Sequence, residues 1–250
     1  MYLPDLPTLE AVATFATSFN ISTLNIFIKS VDRTAMLDSS NPAIDILQNL
    51  RSDGFSVYGL AGEPTWAQTT NFPNQLSQLL NLHSLYNIFS GLHLDIEPAS
   101  LPEWDLPNGQ RDLMQGTADF ISMVRSNMPA ALDLNIAVQP VHALTVLSDG
   151  SDFLSHISPH VEEISIMAYR NDPAKQITRA EPCFTRAQAL NLKWRMGTLC
   201  NPPTEANTSY FGFSSANFKL AMQQLWTAIY PETWLTGLVF ENYETLDAII

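Results

Sequence analysis

In the middle of the chain the stretch Ser90-Gly91-Leu92-His93-Leu94-Asp95-Ile96-Glu97-Pro98 sets apolar side chains between polar or ionisable ones. Successive side chains of a strand point to opposite faces, so Leu92, Leu94 and Ile96 share one face while His93, Asp95 and Glu97 share the other. Two carboxyls so close on one face raise at least one pKa, which suits a general acid. Glu97, nearer the carboxyl end of the run, is better placed to reach a substrate, with Asp95 orienting or charge-balancing it. Glu241, in step with Gly237 and Val239 at the end of the last apolar run, is the candidate second carboxylate. Such pairs hydrolyse glycosidic bonds, with retention when roughly 5 Å apart and inversion at roughly 6.5–9.5 Å. Plainer roles compete: Asp95 and Glu97 can cap backbone or pair with Arg170, and Glu241 can pair with Lys29 or Arg170.

The elements that must position these groups follow a βαβ rhythm. Short β-rich runs at Leu24–Ser30, Phe55–Gly62, Gly91–Pro98, Leu132–Pro140, Glu163–Arg170, Lys193–Cys200 and Thr236–Tyr243 alternate with amphipathic segments. The latter are Leu6–Phe19, Ala43–Arg51, Asn74–Ile88, Gln110–Asn127, Ala143–His156, Thr185–Asn191 and Ala216–Ile229. The pattern predicts a single-domain α/β fold over residues 1–250, a TIM-type (β/α) barrel of about seven to eight parallel strands. The first strand is truncated or missing, since a helical segment opens the chain almost at once and Met1-Tyr2-Leu3 is at most its stump. A doubly wound open sheet ranks second, because no glycine-rich phosphate turn follows an early strand.

Barrels carry their chemistry on the loops at the carboxyl ends of the strands. Those ends contribute Lys29, Glu63, Trp66, Gln139, Tyr169 and Tyr243, with Trp104 on the loop after the central run. Aromatic faces stack on a pyranose while amides, carboxylates and hydroxyls hold its oxygens, so Trp66, Trp104 and Tyr243 are candidate platforms. The competing role for each Trp is packing.

A formal charge of -13, from Lys+Arg 12 against Asp+Glu 25, repels phosphate backbones and argues against nucleic acid as a partner. The apolar runs are too short to cross a bilayer. Cys183 and Cys200 are too few for a disulfide scaffold and lack zinc-site spacing, although one bridge between them is geometrically possible. No cofactor fingerprint is present, and no metal is expected. The alternative is a metal-dependent hydrolase using His93, Asp95 and Glu97, but the other histidines, His83, His142, His156 and His160, fall mostly in helical or pre-strand segments.

Leu94-Asp95-Ile96-Glu97 resembles the end of the strand-four signature of chitinase-like glycoside hydrolases of family eighteen, and Ile166-Met167-Ala168-Tyr169 resembles their strand-six Met-x-Tyr. The longer pattern, with Pro98, Pro102-Glu103-Trp104 and Arg170, is similar to a largely uncharacterised glycosidase-like group of barrels. The resemblance implies a carbohydrate substrate, with Glu97 as proton donor, Asp95 positioning an acetamido group and Tyr169 hydrogen-bonding near the reacting carbon. Ser90 and His93 stand where that family carries Asp, Arg170 where it has Asp, and Phe240-Glu241 where it has Trp. These departures point to Glu241 as second carboxylate and to His93 and Arg170 as binding groups. Arg170 is expected near Asp95 or Glu241, holding one ionised and leaving Glu97 with the raised pKa. A catalytically inactive sugar-binding barrel is the further alternative.

Overall fold

The computed structural model describes residues 6–241, 245–246 and 249, with the side chains of 6–10 left aside. Seven strands, β1 (Thr23–Phe27), β2 (Ser56–Ala61), β3 (Gly91–Leu94), β4 (Asp133–Val138), β5 (Glu163–Ile166), β6 (Lys193–Leu199) and β7 (Leu235–Glu241), form one parallel sheet in the order β1-β2-β3-β4-β5-β6-β7. The sheet curls into a TIM-type barrel lacking part of its wall. No ladder joins β7 to β1 among the described residues.

Helices run between the strands: α1 (Leu6–Ser18), α2 (Ser30–Ala35), α3 (Pro42–Ser52), α4 (Asn74–Tyr86), α5 (Gly109–Asn127), α6 (Pro140–Ala143), α7 (Phe153–Ile157), α8 (Pro173–Ala189) and α9 (Ser215–Ile229). None of the described helices is long and apolar enough to cross a membrane. Their apolar stripes bury against the outward strand side chains. Leu76, Leu79 and Leu82 of α4 and Leu92 and Leu94 of β3 are all fully buried, each contributing about 2 kcal/mol. Starts are set by capping: Asn41, Asp152, Asp172 and Ser214 accept backbone N–H bonds at the first turns of α3, α7, α8 and α9.

Two expected helices differ. The segment Ala143–His156 is broken into α6 and α7 because Asp149-Gly150 forms a turn, Gly150 taking φ +83°, and Asp152 then caps α7. The expected Thr185–Asn191 is only the end of α8, which begins after the Asp172 cap and carries Pro182 within it. Pro182 lies on the exposed side, opposite buried Cys183 and Phe184. Cys183 and Cys200 are both free thiols.

Candidate active site

The β3 ladder ends at Leu94, and two residues beyond it carry the chemistry. The Asp95 N–H still donates to Ala61 O of β2 at 2.9 Å. This close approach requires Gly62: a Cβ there would stand 1.7 Å from Asp95 O. Past Asp95 the chain leaves the sheet, so strict alternation fails. Asp95 lines the interior cavity, whereas Glu97 is exposed at a rim recess bordered also by Pro98, Gln139 and His142. Gln139, just after β4, donates Nε2 to Glu97 Oε2 at 3.1 Å and so orients the carboxylate.

Tyr169, following β5, donates its hydroxyl to Glu241 Oε2 at the end of β7, at 2.8 Å. Gly197 of β6 makes room for this ring, since a Cβ there would stand 3.3 Å from Tyr169 Cε1. The charges of Glu97 and Glu241 act on both Asp95 and Tyr169. Burial first, then the charges of Glu97 and Glu241, push the Asp95 carboxyl up to about 7. Its Oδ1 is sealed from solvent and has no hydrogen-bond partner among the described residues. Burial and the Glu241, Asp95 and Glu97 charges hold the Tyr169 phenol well above its ordinary value. The raised carboxyl was expected at Glu97; burial selects Asp95 instead.

Arg170 also departs from expectation. Its Nη1 donates to Tyr169 O at 2.7 Å, and it makes no ion pair with Asp95, Glu241 or any other described carboxylate. It lines neither the interior cavity nor the rim recess, and it is not among the charges acting on Asp95 or Tyr169, so charge balance for the cluster does not come from Arg170.

Beneath Asp95 lies a polar interior that the sequence reading did not assemble. Arg195 of β6 pairs with Glu163 of β5, Nε to Oε2, at 2.6 Å, and Thr236 donates its hydroxyl to the same carboxylate. Tyr58 donates to Asp133 Oδ2 at 2.8 Å. Inward parity within Trp194-Arg195-Met196 was the available signal for Arg195. His93 lies in this layer, buried, and burial followed by the Arg195 charge lowers its pKa to about 3, so it is a neutral imidazole. Among the described residues no three His, Cys, Asp or Glu side chains converge to hold a metal ion; the proposed set of His93, Asp95 and Glu97 is split between interior and rim. His93, Asp95, Arg195 and Thr236 line a cavity of about 870 Å³ that extends to β1, β7 and the apolar side of α1.

Other expected binding residues scatter. Trp66 is 7% exposed and stacks on Phe120 at 5.2 Å; the short 3₁₀ turn Pro64–Gln68 aims it into the core, so it is no platform. Trp104 is partly buried with its ring 4.5 Å from that of His142, at the rim recess. Glu63 and Lys29 are exposed at the starts of the turn after β2 and of α2 and line neither cavity nor recess. Tyr243 lies outside the described residues.

No protein-family model and no curated protein matches the sequence. Solved structures do match in fold. A chitinase from Rhizomucor miehei aligns with TM-score 0.55 and 14% identity over 90% of this chain and 92% of its own. The Bacillus cereus spore cortex-lytic enzyme SleL gives 0.55 and 13%, over 98% of this chain and 70% of its own. A family GH18 chitinase from Cycas revoluta, solved with allosamidin, gives 0.58 and 15% over 99% and 96%. The chain therefore has the fold of the GH18 chitinase barrels, which is also the family its strand-end motifs resemble.

Proposed function

We propose that the protein is a glycoside hydrolase acting on a polysaccharide or oligosaccharide, with Glu97 as general acid. The observation that carries this reading is the gathering of Asp95, Tyr169 and Glu241 along one cavity at the strand ends, Tyr169 bonded to Glu241, with Glu97 at the rim two residues beyond Asp95. Glu97, exposed and oriented by Gln139, gives its proton to the glycosidic oxygen as the bond to the anomeric carbon breaks. An incoming water supplies the oxygen that bonds to that carbon and returns a proton to the carboxylate cluster. Asp95, half protonated near neutrality, donates or accepts a hydrogen bond beneath the sugar, and Tyr169 holds Glu241 in place. Structures of the Cycas revoluta chitinase hold (GlcNAc)3 and (GlcNAc)4, so N-acetylglucosamine oligomers are the first substrates to screen.

The test pairs an activity screen with a melting measurement. Glu97→Gln should keep the fold and lose turnover, because an amide has no proton of suitable acidity to give. Near wild-type turnover in the variant, at unchanged melting temperature, removes Glu97 from the role. A wild-type protein that binds sugars and cleaves none is an inactive binding barrel.

A further inference from the structure

Carboxylates that share a cavity repel one another unless a counter-ion answers them. Asp95 and Glu241 both line the interior cavity, as does Tyr169, whose hydroxyl is bonded to Glu241 Oε2 at 2.8 Å. That bond engages only one oxygen of Glu241. Asp95 Oδ1 is sealed from bulk solvent and has no hydrogen-bond partner among the described residues. Neither carboxylate belongs to an ion pair among those residues.

The cavity does hold one guanidinium, but register places it elsewhere. Arg195 stands opposite Gly237 of β7, four residues before Glu241, which is about 13 Å along a strand. Its Nε lies 2.6 Å from Glu163 Oε2, and Glu163 stands opposite Lys193, still nearer the amino end of β6. The charge of Arg195 is thus matched low in the barrel, away from the strand ends. His93, the other basic side chain of the lining, is buried and neutral. The cavity is therefore balanced at its floor and acidic, without a counter-ion, at its mouth.

A cation suited to that mouth is compact and carries several donors, because it must meet carboxylates arriving from β3 and from β7. A primary ammonium offers three N–H donors on one atom. A metal ion suits it less, since no three His, Cys, Asp or Glu side chains converge among the described residues. On a saccharide the matching group is the free amine of an amino sugar. We propose that Asp95 and Glu241 form the two arms of an ammonium subsite, so that the sugar unit bound at the strand ends carries an unacetylated amine. The proposal rests on the glycoside reading above and narrows it to cationic amino sugars, with the amine directed into the cavity while Glu97 meets the glycosidic oxygen at the rim.

Calorimetric titration of the Glu97→Gln protein at about pH 6, where an amine is charged, tests it without turnover. The probes are trimers of chitosan, chitin and cellulose, which share one backbone and carry an ammonium, an acetamide and a hydroxyl at the same carbon. The chitosan trimer should bind about tenfold or more tighter than either of the others. Added Glu241→Gln should bring that ratio close to one at an unchanged melting temperature. Added Asp95→Asn, which removes a buried repulsion, should do the same and decides alone where Glu241→Gln does not fold. One substitution barely alters the net charge of -13, so a lost ratio reports the subsite rather than general attraction to an acidic chain. Equal binding of the three trimers, a preference for the chitin trimer, no binding of any, or a ratio that survives either substitution overturns the subsite. The two readings fail separately: a wild-type protein that cleaves no glycan but keeps a carboxylate-dependent ratio loses the hydrolase and keeps the subsite, whereas cleavage with a ratio of one does the reverse.

Discussion

Replacing Asp95 by Asn probes the electrostatics of the site directly. In the fold the carboxyl is pushed from 3.8 to about 7, first by burial and then by Glu97 and Glu241. At about 1.36 kcal/mol per unit, this is on the order of 4 kcal/mol against the ionised form. Between about pH 4 and pH 7 the native state keeps a proton on Asp95 that the unfolded chain has lost, so raising the pH through that window destabilises the fold through this group. Below the window both states are protonated and the penalty vanishes; above it the penalty is complete. An amide carries no charge at either end. Asp95→Asn should therefore match the wild type near about pH 4 and exceed its stability by up to about 4 kcal/mol near about pH 8. Urea denaturation of both proteins across a pH series gives the difference, in which groups not coupled to Asp95 cancel. A difference that stays flat across the series refutes the burial and repulsion assigned to Asp95.

Gly62→Ala should destabilise by about 1–3 kcal/mol and lower kcat, because its Cβ would drive Asp95 away from β2; urea midpoints and kinetics on the same preparation check this. Trp66→Ala should cost about 3–5 kcal/mol in thermal or urea unfolding while leaving sugar affinity unchanged, since its ring packs on Phe120. A loss of affinity at unchanged stability would restore Trp66 as a platform. Tyr169→Phe removes the hydrogen bond to Glu241 and should lower kcat more than it raises KM, read from steady-state kinetics.

The barrel was legible because period-two runs alternating with amphipathic segments leave few other folds, and the same parity placed His93 and Asp95 inside. Parity stopped being a guide where the ladder stopped: with β3 ending at Leu94, Glu97 swings to the rim beside Gln139. Nor does a sequence reveal which way a turn aims its ring, and so Trp66 read as a platform when it is core. The expected helix at Thr185–Asn191 missed the first turns of α8, within which Pro182 is accommodated on the exposed side. The Glu163–Arg195 pair depends on the register of β5 against β6, which places Ser165 opposite Arg195, and a linear pattern does not carry register between separate strands.

Every ladder in the sheet joins strands that are neighbours in the sequence, and this bears on how the chain reaches its fold. Each new pairing closes only one strand-helix segment, and loop-closure entropy grows slowly with such lengths. Assembly by the described ladders can begin in any βαβ unit and spread in both directions without first joining distant ends. The carboxyl cluster is spread over the ends of β3 and β7, so its members meet only after growth has crossed the intervening units. Their mutual repulsion is thus deferred until the surrounding barrel is already built to hold them.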